Sequence, residues 1–76
     1  MSPYFIEASE LDTRFTYHAP KPGQPEKYET IRNAALALSK LATSISPASR
    51  EQSLAIGKLE EFVFWINAAI ARREGE

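Results

Sequence analysis

The stretch from Pro25 to Glu74 decides the fold, and it reads PEKYETIRNAALALSKLATSISPASREQSLAIGKLEEFVFWINAAIARRE. Its first half carries an apolar stripe at alternating spacings of three and four residues, made of Tyr28, Ile31, Ala35, Leu38, Ala42 and Ile45. That spacing puts every member on one face of a helix. Proline suits the first turn of a helix, where its missing amide hydrogen is not needed, and Glu26 suits the positive end of the helix dipole. The stretch therefore predicts a first helix from about Pro25 to about Thr43.

Two start signals compete for a second helix. Ser46 followed by Pro47 offers a serine N-cap with proline at the first helical position. Ser49 followed three residues later by Gln52 offers a capping box one turn further on. The predicted helix runs from about Pro47 to about Arg72, because arginines suit the negative end of the helix dipole. The turn before it is so short that the two helices should be antiparallel neighbours, as in a helical hairpin.

The second helix is apolar on almost every side. Its apolar positions are Leu54, Ala55, Ile56, Leu59, Phe62, Val63, Phe64, Trp65, Ile66, Ala69 and Ile70. A helix of this kind must be buried on several sides, whereas the shorter first helix can cover only one. The remaining surface needs either the N-terminal segment or other subunits to cover it. We expect Phe64 and Trp65 to make contacts between subunits, with packing against the N-terminal segment as the alternative.

Residues 1–24 form an N-terminal segment and a proline-rich connector, and the connector reads YHAPKPGQP at residues 17–25. The apolar residues that could form a short helix or a short strand before it are Tyr4, Phe5, Ile6 and Leu11. The sequence TRFTY at residues 13–17 alternates and is rich in β-forming residues. It therefore predicts a short strand or an extended arm.

Size and composition point to assembly. The chain has 76 residues and no cysteine, which excludes disulfides, zinc fingers and iron–sulfur clusters. The single histidine cannot build a multi-histidine metal site. A domain this small is marginally stable without disulfides, a metal or partner subunits. The expected fold class is therefore all-α: an antiparallel two-helix hairpin, with a short N-terminal segment, that assembles into a homo-oligomer.

Charge and hydropathy exclude further classes of protein. Nine Lys plus Arg against ten Asp plus Glu give a formal net charge of -1, whereas proteins that bind DNA or RNA polymers normally carry a basic excess. The longest apolar run, Phe62 to Ile66, is far shorter than the ~20 residues that span a bilayer. The first residues contain acids and no basic region, so no signal peptide is expected. These features favour a soluble, cytoplasmic protein.

Catalytic motifs are missing from the sequence. The three glycines are isolated, so no glycine-rich phosphate loop is formed. The adjacent carboxylates Glu60 and Glu61 diverge by about 100° on a helix and do not share a site. His18 could act as a base, but nothing in the sequence marks a nucleophile for it. We predict no catalytic residue, no cofactor and no metal.

The remaining polar and aromatic residues suit an anion that carries a flat ring. Phe15 and Tyr17 lie outside the helical stripes, and exposed aromatic rings stack on nucleobases. Arg32 lies beside the first stripe, and its planar guanidinium suits a phosphate. Arg50, near the start of the second helix, combines a cation with amide donors that attract anions. Lys21, Lys27 and His18 could add positive charge.

Structural alternatives stay open for each of these residues. Arg32 could pair with Glu29, or it could be solvated. Arg50 could pair with Glu51 or with a neighbouring subunit. Tyr17 could pack over the end of the hairpin.

Five pieces of sequence carry a family resemblance. FxYH, QPEKYxxIR, PxSREQSLA, KLEEFVFW and NAAIAR follow one another in this order between Thr13 and Glu74. Together they resemble the helical hairpin domain of phage anti-CBASS and anti-Thoeris sponges, which sequester nucleotide immune messengers. The resemblance implies a hairpin that assembles into dimers and then into a hexamer, as a trimer of dimers. It also implies that the ligand is bound and released intact in the cytoplasm of the infected bacterial host.

The resemblance further implies ligand-binding residues. In the family, cyclic dinucleotides lie where two protomers meet, with a tyrosine on the base and a basic residue of the first helix on phosphate. The matching positions are Tyr17, flanked by Phe15 and His18, and Arg32. Cyclic trinucleotides bind near the threefold axis, and the candidates for that site are Ser49, Arg50 and Glu51. The anti-Thoeris branch binds cyclic ADP-ribose variants.

Two other functions remain alternatives. Phe64 and Trp65 would also suit a small helical oligomeric adaptor that binds a host protein through an exposed aromatic face. A nuclease or phosphodiesterase acting on the same messengers is the weaker alternative, since no catalytic constellation is present.

Overall fold

Three α-helices and no strand make up the part of the chain that the computed structural model describes, which is residues 5–75. They are α1 (Ala8–Phe15), α2 (Gln24–Ile45) and α3 (Arg50–Arg73). The all-helical class is confirmed, and α2 and α3 form the antiparallel hairpin. The two-helix count is incomplete, because α1 is a third helix. Among the described residues, no helix combines the length and apolarity that crossing a bilayer requires.

The helix α1 includes residues 13–15 of the stretch for which a strand or extended arm was predicted, so that prediction is wrong there, whereas Thr16 is extended. The alternative of a short helix in the N-terminal segment is confirmed at Leu11, while Phe5 and Ile6 precede the helix. Thr13 and Arg14 belong to its last turn, and each bonds one turn back: Thr13 Oγ1 to the Ser9 carbonyl at 3.0 Å, and Arg14 Nε to Glu10 at 2.8 Å. An isolated helix of eight residues is unstable in water. A contact from outside α1 supports it, since Arg73 of α3 donates to Glu10 at 2.7 Å. Tyr4, which was grouped with this segment, lies outside the described residues.

The tip of the hairpin, residues 46–49, decides between the two start signals of α3. Ser49 is the N-cap, and its Oγ accepts a hydrogen bond from the Gln52 amide at 3.1 Å. The Gln52 side chain reaches back and donates to the Ser46 carbonyl at 3.0 Å. The competing signal of Ser49 with Gln52 is therefore the actual start, and the predicted start at about Pro47 is wrong, because Pro47 lies in the turn and α3 begins at Arg50. Ser49 prevails because Gln52 is bonded on both sides of the turn, by its amide to the Ser49 Oγ and by its side chain to Ser46, in place of the reciprocal bond of a full capping box.

The hairpin does not enclose a core. Among residues 5–75 no apolar side chain is fully buried, and the one buried residue is Gln24. Ile31, Ala35 and Ala42 of the predicted stripe are half-buried, but Leu38 is 50% and Ile45 is 76% exposed. The chain exposes 6244 Å², whereas a compact monomer of its mass exposes about 4,700 Å². Its radius of gyration is 16.3 Å, against about 11 Å for a compact domain of this length.

Candidate functional site

The connector between α1 and α2 presents two aromatic rings to solvent. Phe15 ends α1 and is 85% exposed, and Tyr17, which follows the extended residue Thr16, is 83% exposed. The alternative in which Tyr17 packs over the end of the hairpin is therefore wrong. A large ring that contacts so little of its own chain is available to stack on a ligand or on another subunit.

Two contacts anchor the connector after Tyr17. His18 Nε2 lies 2.6 Å from the carbonyl oxygen of Thr13, so the half-buried ring donates to the end of α1. Further along, the amide of Lys21 donates to Gln24 Oε1 at 2.8 Å. His18 was expected to contact the ligand, but in this structure its ring is engaged with its own chain.

Gln24 joins the connector to the base of the hairpin, where α2 begins and α3 ends. Its side chain is 2% exposed, and its Nε2 donates to the Ile70 carbonyl at 3.0 Å and to Glu74 Oε1 at 3.1 Å. Lys27 forms an ion pair with the same Glu74 carboxylate. Hydrogen bonds from Lys27 and then from Gln24 lower the pKa of Glu74 below its ordinary value of 4.5. The base is thus closed by polar groups.

A cavity of about 490 Å³ lies on one side of the hairpin and combines cations with aromatic rings. Its lining residues are Tyr28, Arg32, Phe64, Asn67, Ala68, Ala71 and Arg72. Within residues 5–75 neither Arg32 nor Arg72 has an ion-pair partner, so the alternative pairing of Arg32 with Glu29 is not formed. Two cations without carboxylates beside two aromatic rings suit a phosphate ester that carries a base.

Asn67 adds an unsatisfied acceptor to this cavity. Its Oδ1 is buried and has no hydrogen-bond partner in the described part of the chain. A buried polar atom without a partner costs free energy, and a donor group of a ligand would recover it once the Asn67 side chain turns its oxygen towards the cavity. The amino and imino groups of nucleobases are such donors.

A second cavity, of about 320 Å³, lies between α1 and α3 on the same side of the molecule. Its lining residues are Arg14, Trp65, Ala68, Ala69, Arg72 and Arg73. A third cavity of about 400 Å³ is lined by Phe64, Trp65, Ala68 and Arg72 and also by Glu61, so the three cavities are continuous around Arg72. Glu10 supplies a carboxylate at their edge, and hydrogen bonds from Arg73 and then Arg14 lower the pKa of Glu10 to about 2.

Sequence reasoning assigned Arg72 only to the end of a helix and missed its place in the cavity. A signal was present, because Phe64, Ala68 and Arg72 are spaced by four residues, and so are Tyr28 and Arg32. Residues four apart lie on one face of a helix. That the two faces meet across the hairpin depends on its packing, which the spacing alone does not provide.

The remaining predicted site residues lie at the opposite end of the hairpin. Ser49 caps α3, while Arg50 and Glu51 are exposed and form no ion pair with each other. Arg32 precedes the end of α2 at Ile45 by 13 residues, or about 20 Å of helix. Within one chain the structure therefore does not bring the tip residues together with Tyr17 and Arg32. Lys21 and Lys27 also lie at the base, away from Arg50.

The described residues contain no group of three His, Cys, Asp or Glu side chains that could hold a metal ion.

Comparison with known proteins identifies a family. A protein-family model described as "Acb2/Tad1, hairpin domain" matches residues 7–71 of the chain. No curated protein and no solved structure matches significantly.

Proposed function

Because the chain belongs to the Acb2/Tad1 hairpin family, the anti-CBASS and anti-Thoeris sponges, we propose that it binds cyclic oligonucleotide second messengers and sequesters them intact. The ligands are cyclic dinucleotides, cyclic trinucleotides and cyclic ADP-ribose variants. Their removal blocks CBASS- and Thoeris-type antiviral signalling in the cytoplasm of the infected bacterial host. The observation that carries the proposal is the pair Arg32 and Arg72, which line one cavity without carboxylate partners.

The chemistry of this cavity matches the parts of a cyclic dinucleotide. The guanidinium groups of Arg32 and Arg72 would bind phosphate through paired hydrogen bonds. Tyr28 and Phe64 offer ring faces, and the Asn67 Oδ1 would accept a hydrogen bond from a base. A sponge requires groups that bind the ligand and leave it chemically unchanged.

A second copy of the chain completes this site in our proposal. The cavity is open on one side of a single hairpin, and Tyr17 is exposed on an anchored connector. We place the Tyr17 ring of one protomer on the base of a ligand whose phosphates are bound by Arg32 of its partner. The surface in excess of a compact monomer, roughly 1,500 Å² per chain, is about twice the ~800 Å² that one partner buries in a standard interface, so it leaves room for two interfaces on each chain. Assembly into a homo-oligomer, as a hexamer built from three dimers, is part of the same proposal.

Two places compete for a larger cyclic trinucleotide. The tip residues Ser49, Arg50 and Glu51 match the position that the family resemblance suggested. The cavity lined by Arg14, Arg72, Arg73 and Trp65 has more positive charge. The variants Arg50→Ala and Arg72→Ala distinguish the two candidate sites, because only the substitution at the site that binds the trinucleotide should weaken the binding of cyclic tri-AMP.

Calorimetry tests the proposal with 3′,3′-cyclic GMP-AMP, cyclic tri-AMP and glyco-cyclic ADP-ribose. We expect heat of binding with at least one of them, and no heat with any would reject the proposal. Chromatography of the ligand after incubation and denaturation should return it unchanged. A cleaved ligand would instead indicate a nuclease or phosphodiesterase.

An adaptor for a host protein is the second candidate function. Phe64 and Trp65 are 63% and 64% exposed in the single chain, and large exposed aromatic residues are common at protein interfaces. Recovery of a stoichiometric protein partner by pull-down, with no nucleotide in the released small molecules, would favour this function over the sponge.

A further inference from the structure

We infer that Gln24 is a positioning residue for Tyr17: it fixes the connector from inside the hairpin base and so preorganises the ring for stacking. The inference rests on the proposed function, because it concerns the site to which Tyr17 is assigned there. Gln24 itself is buried and does not line the cavity that contains Arg32.

The first step is the turn that precedes α2. Lys21 and Gln24 exchange two hydrogen bonds, from the Gln24 amide to the Lys21 carbonyl at 3.0 Å and from the Lys21 amide to Gln24 Oε1 at 2.8 Å. Between them stand Pro22 and Gly23, and Gly23 has φ 87° and ψ -16°. These are the residues and the angles of a type II turn, in which glycine accommodates the positive φ. The Gln24 side chain therefore closes a turn whose shape is already restricted.

The second step is the connection of this turn to α3. The donor side of the Gln24 amide bonds the Ile70 carbonyl at 3.0 Å and Glu74 Oε1 at 3.1 Å. Both ends of the amide are thus used, one on the connector and the other on the last turn of α3. Because no apolar side chain in residues 5–75 is fully buried, the polar bonds of Gln24 replace a core as the fixed point of the base.

A contact of the residue next to Tyr17 restrains the other part of the connector. The His18 ring holds the other side of the connector by its bond to the Thr13 carbonyl at 2.6 Å. Pro20 and Pro22 restrict the backbone between His18 and Gly23. Tyr17 therefore lies next to the first anchor, His18, and four residues before the second, Lys21. Its backbone loses little conformational freedom when a ligand stacks on its ring. Preorganisation of this kind raises affinity without a new contact.

The experiment is a double-mutant cycle. The dissociation constant for 3′,3′-cyclic GMP-AMP is measured for the wild type, Gln24→Met, Tyr17→Ala and the double variant. Methionine has a similar length but forms none of the three side-chain bonds, and we expect about a 10-fold loss of affinity. In the Tyr17→Ala background the same change should alter the constant by less than about twofold, because coupled residues are not additive. An equal loss in both backgrounds would overturn the inference.

Lys27→Met is the matched control. It removes the ion pair with Glu74 at the same base, but leaves the bonds between Gln24 and Lys21 in place. It should change the affinity by less than about twofold in either background. If it weakens binding as much as Gln24→Met does, general loosening of the base explains the effect and the positioning role is rejected.

A second readout does not need a ligand. Backbone ¹⁵N relaxation of the Tyr17 and His18 amides should show an order parameter near about 0.85 in the wild type and below about 0.6 in Gln24→Met. Unchanged order would overturn the inference. Should Gln24→Met fail to fold, Gln24→Asn is the second variant: it keeps the amide but is one methylene too short to bond both the Lys21 amide and the Ile70 carbonyl, so it should also lower the order of Tyr17. If the wild type binds no nucleotide, the proposed function fails, and relaxation still decides whether Gln24 orders the connector.

Discussion

The carboxylate of Glu10 accepts a hydrogen bond from Arg73 at 2.7 Å, and the two residues are 63 positions apart in the chain. The same carboxylate accepts from Arg14 of its own helix at 2.8 Å. These bonds tie the short helix α1 to the end of α3. They also place a carboxylate at the edge of the basic cavity beside Trp65.

The stabilising effect of Glu10 should depend on pH in a defined direction. Its folded-state pKa is about 2, below the ordinary 4.5, so the charged form is favoured by folding. The stabilisation is therefore fully present above about pH 4.5 and is lost as the pH falls towards 2. We expect the wild type to melt at a higher temperature than Glu10→Gln at pH 7, with the difference vanishing near pH 2.

Circular dichroism of thermal unfolding measures this difference. Glu29→Gln is the matched control, because Glu29 is exposed and has no ion pair within residues 5–75. A constant difference between Glu10→Gln and the wild type from pH 7 to pH 2 would contradict the role of the Glu10 charge.

Arg32→Ala and Arg72→Ala should each weaken cyclic dinucleotide binding by about 10- to 100-fold, because a hydrogen bond to a charged group contributes about 1.5–3 kcal/mol. Arg32→Lys should lose less, since it keeps the charge but not the planar fork. Calorimetry measures the affinities, and Lys40→Ala, on the exposed surface of α2, is the control. If assembly falls together with binding, Arg32 and Arg72 stabilise the protein and do not bind the ligand.

Ser49→Ala should destabilise the protein by about 1 kcal/mol, because it removes the acceptor for the Gln52 amide at the start of α3. Chemical unfolding measures this loss. Ser53→Ala, one turn later and exposed, should leave the stability nearly unchanged. Equal effects of the two substitutions would mean that the N-cap contributes nothing, and a selective loss of trinucleotide affinity in Ser49→Ala would favour a ligand contact.

The solution mass of the wild type should be at least twice the 8.5 kDa of one chain, because a single chain leaves its large apolar residues exposed. Trp65→Glu should lower that mass, since a charge at an interface core is unfavourable. Analytical ultracentrifugation with and without nucleotide measures both, and Lys40→Glu serves as the control. A folded wild-type monomer at micromolar concentration would contradict the assembly.

Much of the hairpin could be predicted from local patterns. The spacing of three and four residues predicted α2, and the second helix was predicted with a start at about Pro47, three residues before the observed one, while Ser49 with Gln52 stood as the competing signal. The resemblance to the sponge family is confirmed by the family model that matches residues 7–71. For α1 the sequence left a short helix and a short strand open, and its last residues were predicted as a strand or arm because TRFTY alternates, while the bond that supports the helix comes from Arg73.

The candidate site could be predicted only in part. Tyr17 and Arg32 could be selected from the sequence, and their roles in binding remain predictions. Arg72 and Asn67 were not selected, because a residue near the end of a helix gives no sign of the cavity that it lines. The contacts of Gln24 could not be predicted either, because a polar residue before a proline is typical of a solvent-exposed connector.

The sequence by itself determined the two helices of the hairpin, the short turn between them and the family, because each depends on neighbours within a few residues or on the order of short motifs. Only the tertiary structure decided which side chains meet across α2 and α3, and that Gln24 and Glu10 link the ends of the chain. The physical reason is range: helix periodicity and capping act within one or two turns, whereas a cavity or an ion pair needs groups from distant parts of the chain at bonding distance.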